Sequence, residues 1–124
     1  MIKYEVTVND EGTEYWYLND KLHREDGPAI KYTDGSESWY LNDKLHRVDG
    51  PAVTYADGYE AWWLNDKLHR EDGSAIKCTN GSEEWWLNGC KVTKEDVMGH
   101  TITIDGKPVS ISKESYLKLK ETIK

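Results

Sequence analysis

Apolar and polar residues alternate along this chain in short stretches separated by turn residues, and the alternation returns in the same phase every 23 residues. Glu37-Ser-Trp-Tyr-Leu41 alternates and is rich in β-formers, so it predicts a strand. Asn42-Asp43 follows, a pair that accepts positive φ and closes a tight hairpin. Asp49-Gly50-Pro51 marks a second bend, Ala52-Val-Thr-Tyr55 a further strand, and Asp57-Gly58 the turn into the next unit. Trp16, Trp39, Trp62 and Trp85 keep this spacing, as do His23, His46 and His69, and Glu14, Glu37, Glu60 and Glu83. Units 15–37 and 38–60 agree at 17 of 23 positions. A period of this length is the signature of a repeat array.

Strand neighbours point to opposite faces, so Trp39 and Leu41 face one way and Tyr40 the other. The row Trp16, Trp39, Trp62, Trp85 with Leu18, Leu41, Leu64, Leu87 is the expected packed face. The row Tyr17, Tyr40, Trp63, Trp86 is either a second packed face or an exposed aromatic stripe. A parallel β-helix would stack each residue on its repeat-mate at about 4.8 Å, which builds ladders of like charge from Lys21/Lys44/Lys67 and Glu37/Glu60/Glu83. Antiparallel hairpins put two strands in each unit and hold repeat-mates roughly 10 Å apart. The fold class predicted is therefore mainly β, an elongated antiparallel β-hairpin repeat array.

The ends read differently. Residues 1–13 supply a capping strand, 14–97 the repeats (three full and one partial), and 98–124 a C-terminal cap. In that cap Thr101–Ile111 forms a hairpin about Asp105-Gly106. Ser112 then caps a helix over 113–123, whose Tyr116, Leu119 and Ile123 share one face. No segment before residue 112 shows a helical period.

Composition narrows the function. Of 124 residues, 37% are apolar and 31% charged, while six Trp and eight Tyr supply large rigid packing area. The net charge of −7 is concentrated: residues 1–97 carry 20 acids and 11 bases, a balance of −9. Such a body repels phosphate backbones and anionic lipid, so direct nucleic-acid and membrane-surface binding are disfavoured. No apolar run is long enough to span a bilayer, and no signal peptide is evident. Cys78 and Cys90 replace Tyr and Lys of the other units, which reads as two free thiols and a cytoplasmic chain.

Recurring His and carboxylates raise the question of catalysis. Three His ligands must converge to about 2.1 Å from one ion, which repeat-mates roughly 10 Å apart cannot do. Glu37 and Glu60 are likewise too far apart for a glycosidase pair at about 5–9 Å. No nucleophile elbow, phosphate loop or zinc motif appears. The expectation is no catalytic residue, no metal, no cofactor and no enzyme, with each His holding its bend or packing on the next hairpin.

Tyr40-Leu-Asn-Asp-Lys-Leu-His46 and the closing Asp57-Gly58 resemble the MORN repeat (membrane occupation and recognition nexus), also of 23 residues, in its bacterial and phage variant form. The Gly-x-Gly that follows the His in that family is here Arg47-Val-Asp-Gly-Pro51. The resemblance spans about residues 11–97 and implies an antiparallel sheet used as an interaction platform.

The middle unit departs from its neighbours. Val48 stands where they have Glu25 and Glu71, and Tyr59 where they have Ser36 and Ser82. Both exchanges make the centre more apolar. They mark Val48 and Tyr59, with Tyr40, Arg47, Trp63 and Trp86, as the candidate partner-binding residues. The function expected is a non-catalytic interaction protein that binds a protein partner through aromatic and acidic surface. The alternative is a phage- or mobile-element-encoded inhibitor of a host enzyme or defence system, as a nucleic-acid charge mimic or an antitoxin-like neutraliser. A glycan-binding module is third. Exposed strand edges leave a homodimer open.

Overall fold

The structure, a computed structural model, describes residues 2–111 and 118. It is mainly β, built from antiparallel hairpins in repeating units. The N-terminal strand β1 (Glu5–Val8) lies on β2 (Glu14–Leu18), followed by β3 (Lys21–Leu22) and β4 (Ile30–Lys31). The middle unit holds β5 (Glu37–Ser38), β6 (Tyr40–Leu41), β7 (Lys44–Leu45) and β8 (Val53–Thr54). The third holds β9 (Glu60–Ala61), β10 (Trp63–Leu64), β11 (Lys67–Leu68) and β12 (Ile76–Lys77). Then come β13 (Glu83–Leu87), β14 (Cys90–Val92), helix α1 (Lys94–Met98) and the hairpin β15 (His100–Ile104) and β16 (Lys107–Ile111).

One sheet runs in the order β1-β2-β4-β5-β8-β9-β12-β13-β14, so consecutive main strands are neighbours. The predicted strand 37–41 is divided at Trp39. Its N–H donates to Ala52 O at 2.7 Å, and its carbonyl accepts from His46 N–H at 3.0 Å. In the middle and third units the first strand thus leaves the main sheet and enters a separate hairpin, β6-β7 or β10-β11, whereas β2 runs unbroken through Trp16. The hairpin turns are those the sequence predicts. Asn42 and Asp43 have φ of 50° and 67°, and the other units match.

Register explains how like charges tolerate the repeat. One cross-strand row reads Glu14, Lys31, Glu37, Thr54, Glu60, Lys77, Glu83. Each interposed strand places a lysine between two glutamates, except in the middle unit. The adjacent row reads Tyr15, Ile30, Ser38, Val53, Ala61, Ile76, Glu84. Val53, Ala61 and Ile76 are its buried core, with Leu45, Tyr59, Trp63, Leu68, Cys78 and Trp86 packed against it.

Strands of two residues form few ladder bonds, and side chains complete the joins between units. Asn42, Asn65 and Asn88 donate their N–H to Nδ1 of His23, His46 and His69 at 2.9–3.1 Å. An Nδ1 that accepts leaves the proton on Nε2. Asp43 N–H donates to Leu22 O at 2.9 Å while its carboxylate accepts Leu22 N–H at 2.7 Å. Asp66 does the same for Leu45. Asn-Gly could not play this second role; Asn88-Gly89, which closes β13-β14, donates the Gly89 N–H to Leu68 O but has no carboxylate to offer.

The Arg-x-Asp-Gly element is equally structural. The guanidinium of Arg47 lies 3.9 Å from the centre of the Trp39 ring. It donates to Asp49 Oδ1 at 3.2 Å and to Pro51 O at 3.2 Å. Its other side rests on Gly50, where an added Cβ would sit 2.7 Å from Cζ. Arg24 and Arg70 repeat the arrangement on Trp16 and Trp62 at 3.7 and 3.9 Å.

One expectation is corrected. Helix α1 lies before residue 112, at Lys94–Met98. Five residues are too few to show a period; its signal is the reciprocal cap between Thr93 and Asp96. The predicted hairpin about Asp105-Gly106 is present. The predicted helix over 113–123 and its cap Ser112 lie outside the described residues, Lys118 apart.

Two substitutions test these joins. Gly50→Ala displaces Arg47 from Trp39 and is expected to lower stability by about 1–3 kcal/mol in urea unfolding. His23→Ala removes a buried acceptor from Asn42 N–H and is expected to cost about 1–3 kcal/mol, whereas a value near zero would show that the imidazole does not join the units.

Candidate functional site

The repeated polar residues are occupied within the fold. His23, His46 and His69 each serve the following unit, and among the described residues no group of three or more His, Cys, Asp or Glu is placed to hold a metal ion. Cys78 and Cys90 are free thiols. Among the described residues no helix is long and apolar enough to cross a membrane.

The six candidate residues fall into separate surroundings. Val48 is 76% exposed and lines a cleft of about 280 Å³ with Trp62, Leu64, His69 and Arg70. In the flanking units a glutamate stands here and faces the imidazole, Glu25 at 3.7 Å from His23 Nε2 and Glu71 at 3.4 Å from His69 Nε2. Val48 leaves His46 without that carboxylate. Arg47 also lines this cleft while holding Trp39. Tyr59 lies elsewhere, packed on the Val53, Ala61 and Ile76 cluster and stacked on Tyr55 with ring centres 4.9 Å apart. Trp63 and Trp86 pack on the same cluster, each half-buried. Trp86 Nε1 donates to Glu84 at 3.1 Å, and Trp63 forms one wall of a shallow cleft of about 390 Å³ with Leu68 and Gly89. Of the row Tyr17, Tyr40, Trp63 and Trp86, the two tryptophans thus pack on the core cluster, and all four stay partly exposed.

Tyr40 leads to a larger cleft that sequence reasoning missed. It has a volume of about 630 Å³ and lies where the first unit meets the second. Tyr32, Tyr40 and Tyr55 wall it together with Leu45, Ser36, Ser38 and Val53 line its interior, and Asp34 and Asp57 stand in the turns beside it. Ser36 and Ser38 are 7% and 8% exposed. Ser36 Oγ accepts Ala56 N–H at 3.0 Å and so ties one turn to the next. The signal is present in the repeat, in the small residue at both 36 and 38, but the large residue at 59 is the more conspicuous exception.

Burial pushes the Tyr32, Tyr40 and Tyr59 phenols above their ordinary value, with neighbouring phenols adding to the effect. Asp34 moves the other way, below its ordinary value, because Ser36 donates both its N–H and its hydroxyl to the carboxylate. Asp34 Oδ1 accepts that N–H at 2.8 Å.

Phenols whose folded value is raised leave stability intact below the unfolded value of 10.0. Above it the unfolded chain ionises first, and stability falls until the folded phenols follow. A melting-temperature series through alkaline pH is expected to drop from about pH 10 upward, and the drop should flatten in a Tyr32→Phe, Tyr40→Phe, Tyr59→Phe triple variant.

The chain matches no protein-family model and no curated protein sequence.

Proposed function

We propose that this chain is a non-catalytic binding module whose middle unit engages a protein partner through aromatic, apolar and acidic surface. The observation that carries the reading is Val48. It is 76% exposed, beside Trp62 and Leu64, at a position where both flanking units use a glutamate facing an imidazole. An isolated exposed valine is ordinary, but one set in a cleft against Trp and Leu is characteristic of a contact surface. The resemblance to the MORN repeat supports the same reading, since that architecture serves as an interaction platform.

Charge favours a second reading. The middle strand carries Thr54 where its neighbours carry Lys31 and Lys77, so Glu37 and Glu60 flank it without a cation between them. That pattern suits an inhibitor, phage-encoded or otherwise, that imitates nucleic-acid charge towards a basic enzyme surface.

Val48→Glu restores the residue of the flanking units and is expected to leave the melting temperature unchanged. Affinity capture from a bacterial lysate at low and high salt should then lose a stoichiometric protein that the unaltered chain retains. Retention by the variant would overturn the assignment of Val48. Retention at low salt alone would favour charge imitation over apolar contact.

A further inference from the structure

The 630 Å³ cleft is a site in its own right, because the repeat itself shows what would close it. Three junctions between successive units share one design. At the junction before this cleft, Tyr15 stands at the position of Ser38 and stacks on Tyr17 at 6.4 Å. At the junction after it, Tyr59 stands at the position of Ser36 and packs with Trp63 and Cys78 on the core cluster. Only the middle junction has serine at both positions. It keeps the aromatic walls and lacks the aromatic filling.

The wall chemistry identifies the occupant. Tyr32, Tyr40 and Tyr55 offer ring faces and edges, and Tyr32 and Tyr55 are 38% and 51% exposed. Asp34 and Asp57 place a carboxylate in each of two adjacent turns beside them. Each uses Oδ1 to accept a turn N–H, at 2.8 Å from Ser36 and 3.1 Å from Tyr59. A carboxylate has two oxygens and about four lone-pair sites, so acceptor capacity is left on both. Aromatic faces with nearby carboxylates attract a cation on an apolar stem, the stem against the rings and the charge beside the acids. The volume lies within the range of ligand clefts, about 300–1,000 Å³. The charge of −9 over residues 1–97 draws a basic partner towards it.

We propose that the cleft between the first and second units takes a lysine side chain from a basic segment of a protein partner. The butyl stem lies against Tyr32, Tyr40 and Tyr55, and the ammonium is attracted by the turn carboxylates of Asp34 and Asp57, which as repeat-mates stand too far apart to bind it together. The identity of the occupant as protein rests on the binding-module reading, but the cleft is separate from Val48, and a short peptide tests it without the partner.

The experiment is an amide-resolved NMR titration of the whole chain with acetyl-Gly-Gly-Lys-Gly-Gly-amide and with the same peptide acetylated at Nζ. Saturable shifts are expected at Ser36, Ser38, Tyr55 and Ala56 with the lysine peptide alone. Asp34→Asn with Asp57→Asn should weaken binding about tenfold. That pair keeps the turn acceptors, as Asn80 does in the third unit, where its Oδ1 accepts Ser82 N–H at 2.9 Å. Ser38→Tyr, which copies the Tyr15 position of the preceding junction, should abolish binding with the fold intact. The proposal is overturned if the acetylated peptide binds as tightly, if shifts spread evenly along the Glu14 to Glu83 row, or if folded Ser38→Tyr binds like the unaltered chain. Failure here with Val48-dependent capture intact would remove the lysine site and leave the binding module standing.

Discussion

Main strands of two residues cannot hold a sheet together by their own ladder, and the rest of this fold depends on how that deficit is met. The backbone groups left over between units are joined by side chains from 19 to 21 residues away. An imidazole accepts the asparagine N–H, and an aspartate turns back on the preceding hairpin. The arginine wedge completes each unit, with one face on a tryptophan ring and the other on a glycine that has no room for a side chain. Each device satisfies polar groups that would otherwise be costly to bury. A unit that lost one would loosen its neighbour as well as itself, which is why these residues recur almost without change.

The same arrangement separates structure from function. His, Arg, Asp and Gly recur because every unit needs them to stack. On the binding-module reading proposed above, the contact surface lies at positions where one unit departs from the others. The middle unit carries an exposed apolar residue at Val48 where its neighbours are charged, and the junction before it has serine at both 36 and 38, whereas the adjacent junctions each have one tyrosine there, Tyr15 or Tyr59. Val48 adds surface to one cleft, whereas Ser36 and Ser38 open another. The two clefts share no lining residue. The array therefore presents two distinct surfaces within about one period.

Electrostatics follows the register. An antiparallel meander inserts a lysine between glutamates that a parallel stack would have placed in contact, so the acidic repeat tolerates its own charge. Where Thr54 replaces that lysine, Glu37 and Glu60 flank the strand without a cation between them.

By itself the sequence determined the period, the antiparallel hairpins, the Asn-Asp and Asp-Gly turns and the hairpin about Asp105-Gly106, because each depends on local alternation and on residues that tolerate positive φ. It also marked Val48 as an exception within the repeat. The tertiary structure alone decided that strand 37–41 divides at Trp39, that Arg47 lies on Trp39 and Gly50, and that Val48 and Tyr59 have different surroundings. These depend on which backbone groups meet across units, a matter of distance in space that alternation along the chain does not encode. Helix α1 escaped notice because five residues cannot display a period. The cleft at Ser36 and Ser38 escaped it because an opening is made by side chains that are missing, and its size is set by the tyrosines that three-dimensional packing brings around it.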